Sequence, residues 1–74
     1  MRARYFDLLM QDGKHFYILA TGMQMLSYVE WLDHSCGCVV ASILEVTSPI
    51  AVYMLQNDLG EVKAIDLTRN LRLR

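Results

Sequence analysis

The sequence predicts an α+β domain in two layers, a single helix packed on one face of a mostly antiparallel sheet of four or five strands, in the order ββαβββ. Three observations carry this. Two β-rich runs flank Asp12 and Gly13 near the start, and one stretch with helical apolar spacing follows, opened by Thr21 and closed by Gly37. The remainder is β-branched and apolar, broken by Ser48, Pro49 and the turn sequence "NDLG". The 74 residues make one domain, residues 1–74, of a size at which a single core is marginal and a second chain is often recruited.

The first unit, "RYFDLLMQDGKHFYILA", reads as a hairpin. A two-residue turn would set Asp7 opposite Ile18 and mix a charge into an apolar face. A three-residue loop, Gln11 to Gly13 with Gly13 left-handed, pairs Leu8 with Phe16 and Phe6 with Ile18 instead. Phe6, Leu8, Met10, Phe16, Ile18 and Ala20 then share one face, and this register is preferred. The other face shows Tyr5, Asp7, Leu9, His15, Tyr17 and Leu19, too apolar to be simply solvated.

The helix has Thr21 as N-cap and Gln24 three residues on, the spacing of a capping box. Met25, Val29, Leu32 and Cys36, with Tyr28 beside them, form the stripe expected to lie on the sheet. Trp31 falls outside that stripe. The run "CVVASILEVTS" is read as a central strand buried on both sides, "IAVYMLQ" as a fourth strand and "EVKAIDL" as a fifth, the last two forming a second hairpin. One helix cannot cover both faces of such a sheet. Hydrophobic residues are 54% of the chain, more than so small an interior can hide, so some are expected in an interface.

"DHSCGC", residues 33 to 38, is the one place where His and Cys gather. A structural zinc site needs four ligands, and His34, Cys36 and Cys38 supply three. The favoured reading is packing and capping: Cys36 ends the apolar stripe, Gly37 caps the helix and Cys38 opens the next strand. On a helix His34 and Cys36 point well apart, so they make no nucleophile and base pair. His15 is expected to be a surface group. The carboxylates show no paired spacing, and the four glycines each fall at an element boundary and build no phosphate loop. No catalytic residue, metal or cofactor is expected, and the chain is read as not an enzyme.

Two surfaces remain for binding. The first is the outer hairpin face, Tyr5, Leu9, His15, Tyr17 and Leu19, read as a dimer or partner face. The second centres on Trp31 with Ser27, Glu30, Asp33 and His34, where an aromatic ringed by polar groups is either an interface anchor or a lid over the core's edge. Charge bears on the choice of partner. Five of the seven basic residues, Arg2, Arg4, Arg69, Arg72 and Arg74, lie at the ends, so between Tyr5 and Thr68 two lysines face eight acids, a net of −6. A body of that sign repels phosphate backbones. A nucleic-acid reading survives only through those arginines and the sheet aromatics, with residues 69–74 as a basic tail, either flexible or ordered by a partner.

The size, element order and acidic body resemble small phage and mobile-element proteins that block host enzymes, such as anti-CRISPR proteins and uracil-DNA glycosylase inhibitors. The resemblance is one of shape and charge, and it assigns no site. It implies carboxylates standing where phosphates would lie, and here Glu30, Asp33, Asp58, Glu61 and Asp66 are the ones to test. The start, "MRARYFDLLMQDG", lacks a secretory apolar core, since Asp7 and Gln11 interrupt it, and no stretch reads as a membrane span. The expectation is a cytoplasmic, non-catalytic protein-interaction module, an inhibitor or modulator of another protein, acting as a homodimer.

Overall fold

The first hairpin adopts the register that keeps Asp7 out of the apolar face. In the computed structural model, which describes residues 2–69, β1 (Arg4–Met10) pairs antiparallel with β2 (His15–Ala20), setting Phe6 opposite Ile18 and Leu8 opposite Phe16. The loop closes through the Gly13 N–H donating to the Met10 carbonyl at 3.1 Å, and Gly13 has φ +93°, a conformation that favours glycine. Phe6, Leu8, Met10, Ile18 and Ala20 are buried on one face, while Phe16, next to the hairpin loop, stays exposed.

Helix α1 (Gly22–Trp31) lies on that face. Its capping box is complete: the Gln24 N–H donates to Thr21 Oγ1 at 3.2 Å and the Thr21 N–H donates to Gln24 Oε1 at 2.9 Å. Met25 and Leu32 are buried against the five sheet residues, with Tyr28 and Val29 packed beside them. Leu8 and Ile18, both 0% exposed, anchor this core, each burial being worth about 1.5–3 kcal/mol.

The helix runs on into a π turn (Leu32–Cys36), and Gly37, at φ +65°, ends it; the Cys38 N–H donates to the Leu32 carbonyl at 3.1 Å. The wider turn carries the chain off the α-helical stripe, so Leu32 is its last buried member. Cys36, expected to pack at the end of the stripe, is exposed, as is Cys38, and both are free thiols.

Three other expectations are corrected. First, β3 (Val40–Glu45) is not the central strand: the sheet order is β3-β1-β2-β4, with β1 and β2 inside and β3 on an edge, antiparallel to β1 and largely exposed. Second, "IAVYMLQ" is no strand. Ser48 caps the Ala51 N–H and Pro49 takes the first helical position, its fixed φ suiting it there, so residues Pro49–Gln56 form a second helix, α2. Third, the last hairpin loses its partner to that helix. From "EVKAIDL" only Ile65–Asp66 pairs, as β4, and it lies parallel to β2 with Ile18 opposite Ile65, followed by a 3-10 turn, Leu67–Arg69. The sheet is therefore mixed and the molecule has two helices.

Helix α2 sits over the other side of the sheet. Ala51, Met54 and Leu55 line a cleft with Asp7 and Tyr17, and Val52 and Gln56 line a second with Tyr5 and Leu19. The outer hairpin face thus gains a partial roof, where an uncovered face was expected. No residue of α2 is buried.

Candidate functional site

The side chains that could meet a partner follow from the two helices. On α1, the stripe of Met25, Val29 and Leu32 faces the sheet, which turns Met23, Leu26, Ser27, Glu30 and Trp31 outward. Trp31 is 52% exposed and stacks on Tyr28, ring centroids 5.9 Å apart, so one face of its ring rests on a residue packed beside the core. Ser27 and Glu30 on α1, and Asp33 and His34 on its π turn, are exposed as well. Burial pushes the Tyr28 hydroxyl above its ordinary value of 10.0, with the neighbouring Cys36 and Cys38 thiolates acting in the same direction.

The α2 side is different in kind. "PIAVYMLQ" carries no charge, yet Ile50 is 73% and Tyr53 59% exposed, and Met54, Leu59 and Val62 are exposed near by. Its inward residues Ala51, Val52 and Leu55 are only half-buried. Between helix and sheet lies a cleft of about 510 Å³, with Leu44, Val46 and Val62 also in its lining. The helix leaves through Asn57, whose Nδ2 donates to the Tyr53 carbonyl at 2.8 Å, and Asp58, at φ +55°.

Of the expected outer face, Tyr5, Tyr17 and Leu19 are half-buried beside α2, while Leu9 and His15 stay exposed beyond it. Tyr5 has its hydroxyl pushed up from 10.0 by burial first, then by Asp66 and Asp58. His15 pairs with Asp7, Nδ1 to Oδ1 at 3.1 Å, across the diagonal of the β1–β2 pair, and its ring meets Tyr17 edge-on at 5.8 Å. The hairpin register carries the signal for this pair, since it places both on one face. Asp7 thereby orients the His15 imidazole.

Two of the terminal arginines are held in ion pairs. Arg4 Nη1 binds Glu45 Oε1 at 3.0 Å and its guanidinium lies over the Phe6 ring, while Arg69 Nε reaches Asp66 Oδ2 at 3.3 Å. Arg2 is exposed; Arg72 and Arg74, and with them most of the basic tail, lie outside the described residues. The five carboxylates named from sequence fall on several segments, with Asp58 and Asp66 both acting on Tyr5. Glu30 and Asp33 stand on α1 and its π turn, Asp58 and Glu61 after α2, and Asp66 is half-buried on β4, where it also accepts from Thr68. No group of three or more His, Cys, Asp or Glu residues among those described is arranged to hold a metal ion, and no helix among them is long and apolar enough to cross a membrane. Compared with known proteins, the chain matches no family model, no curated protein and no solved structure.

Proposed function

We propose that this chain is a non-catalytic protein-interaction module, acting as a homodimer, that docks another protein on its α2 side and modulates it. One observation carries the reading. Helix α2 is uncharged, buries none of its own side chains, and stands over a cleft it does not fill. An eight-residue helix has little stability of its own in water, since nucleation is costly and most helical stability comes from packing. Its half-buried inner side gives it part of that packing. Ile50, Tyr53 and Met54, with Leu59 and Val62, make an apolar surface for the rest, and exposed apolar patches of this kind mark binding sites. Tyr53 is the natural anchor, being aromatic, exposed and central to the helix. Trp31 offers a second anchor on the opposite side.

The test places a photo-crosslinking benzophenone side chain at Tyr53, at Trp31 and, as a control, at Gln11 in the hairpin loop, in cells that make the protein. The reading expects protein adducts from Tyr53 and none from Gln11. Adducts to nucleic acid, or equal yields at all three positions, would contradict it.

A further inference from the structure

We infer that two copies of this chain join edge to edge through β3, antiparallel about a two-fold axis at Leu44, which extends the four-stranded sheet into one of eight. The inference rests on the homodimer reading above and specifies its seam. Strand β3 is an edge strand, and its hydrogen-bonding pattern follows from the register with β1. The Val46 N–H donates to the Tyr5 carbonyl at 2.8 Å, and Leu44 and Ser42 stand opposite Asp7 and Leu9. Backbone groups in an antiparallel pair alternate in direction, so Leu44 and Ser42 also turn theirs toward β1, and Ile43 and Glu45 turn their N–H and C=O groups outward.

That outward row lacks the usual protection. Natural edges carry lysine, proline, inward-pointing charge or a bulge to prevent pairing. Here the shift in register between Leu9 and Met10 bends only the start of the strand. From Ser42 to Val46 the one charge is Glu45, and Arg4 of the same chain already holds it. The opposite edge, β4, is two residues long and offers no template of comparable length, which leaves β3 to pair with its own copy.

Centring the two-fold on Leu44 fits both chemistry and geometry. Ile43 then stands opposite Glu45 of the second copy, so their outward N–H and C=O groups exchange hydrogen bonds and no like charges meet. Leu44, 64% exposed, meets itself in a non-hydrogen-bonded pair, where side chains approach most closely. Ser42 meets Val46. Leu44 also lines the α2 cleft, so the seam continues the apolar surface of that side.

The test uses the whole chain in three forms. The unmodified protein should sediment as a dimer, with the amides of Ile43 and Glu45 exchanging more slowly as the dimer fraction rises. A chain synthesised with an N-methyl group on Ile43 loses an outward donor and keeps its bonds to β1; its dimer dissociation constant should rise by at least about 30-fold, two symmetry-related hydrogen bonds being lost. Leu44→Cys, with Cys36→Ser and Cys38→Ser, should oxidise to a linked dimer of unchanged circular dichroism, since the distance across a non-hydrogen-bonded pair suits a disulfide. A dimer indifferent to the methyl group, or one in which Leu44→Cys stays reduced, overturns the seam and leaves the interaction-module reading standing. A monomer at millimolar concentration overturns both the seam and the homodimer.

Discussion

The two helices of this molecule cover the same sheet from opposite sides and do so unequally. Helix α1 has a complete capping box, a buried stripe and a closed junction with Phe6, Leu8, Met10, Ile18 and Ala20. Helix α2 has one long capping hydrogen bond of 3.4 Å, no buried residue and a cleft beneath it. The difference originates in the strands. Apart from Arg4 at the start of β1, whose guanidinium lies over the Phe6 ring, the inner positions of β1 and β2 are apolar, whereas the outer face includes Asp7 and His15, which pair with each other and cannot be sealed under an eight-residue helix without losing their water. One side of the sheet is thus closed by a buried core, and the other is left partly open under α2.

The comparison breaks first if the α1 core is not the source of stability. Leu8→Ala or Ile18→Ala should cost about 2–5 kcal/mol, a large share of the total for a small domain, whereas Leu55→Ala under α2 should cost less than about 1.5 kcal/mol because less apolar area is lost. Urea denaturation of the three variants decides it; equal losses would mean that α2 belongs to the same cooperative core. Capping sharpens the contrast at a smaller scale. Thr21→Ala should lower stability by about 1 kcal/mol, and Ser48→Ala by under about 0.5 kcal/mol, measured in the same way.

How much of this asymmetry was legible in the sequence depends on where local signals were unambiguous. Asp12 and Gly13 with alternating neighbours specified the hairpin and its register, and Thr21 with Gln24 specified the start of α1. Ser48 and Pro49 were as informative, a cap followed by a first-turn proline, but the six apolar residues after them fit a buried strand as well as a helix. Periodicity cannot separate the two in so short a run. A strand there demands a hairpin partner from "EVKAIDL", makes β3 central and leaves the outer face bare. Cys36 was misplaced for a different reason, since a π turn leaves no residue signature and shifts the stripe by its extra residue. The exposure of Trp31 off the buried stripe was legible because helical spacing alone places it there, while the exposed side of α2 was hidden because a strand reading fits the same apolar run.

Two smaller effects test the surfaces. Tyr53→Lys should change stability by no more than about 0.5 kcal/mol, as a substitution at an exposed position, while abolishing protein adducts from a benzophenone placed at Ile50. A large loss of stability would show that Tyr53 belongs to the fold. The smallest effect is one of pH. Tyr5 and Tyr28 both have hydroxyls raised above 10.0 when folded, so the fold favours their neutral forms. Their contribution is fully present below pH 10.0 and is lost as pH rises through the raised folded values. Thermal melts should therefore show no tyrosine-linked loss up to that pH and a decline above it, which Tyr5→Phe and Tyr28→Phe each reduce.

The asymmetry itself is most directly tested by residue-resolved amide hydrogen exchange on the dilute, isolated chain. Amides in the hydrogen-bonded turns of α2 should exchange through local opening, much faster than those of α1, whose exchange requires opening of the core. Equal protection in the two helices would contradict it.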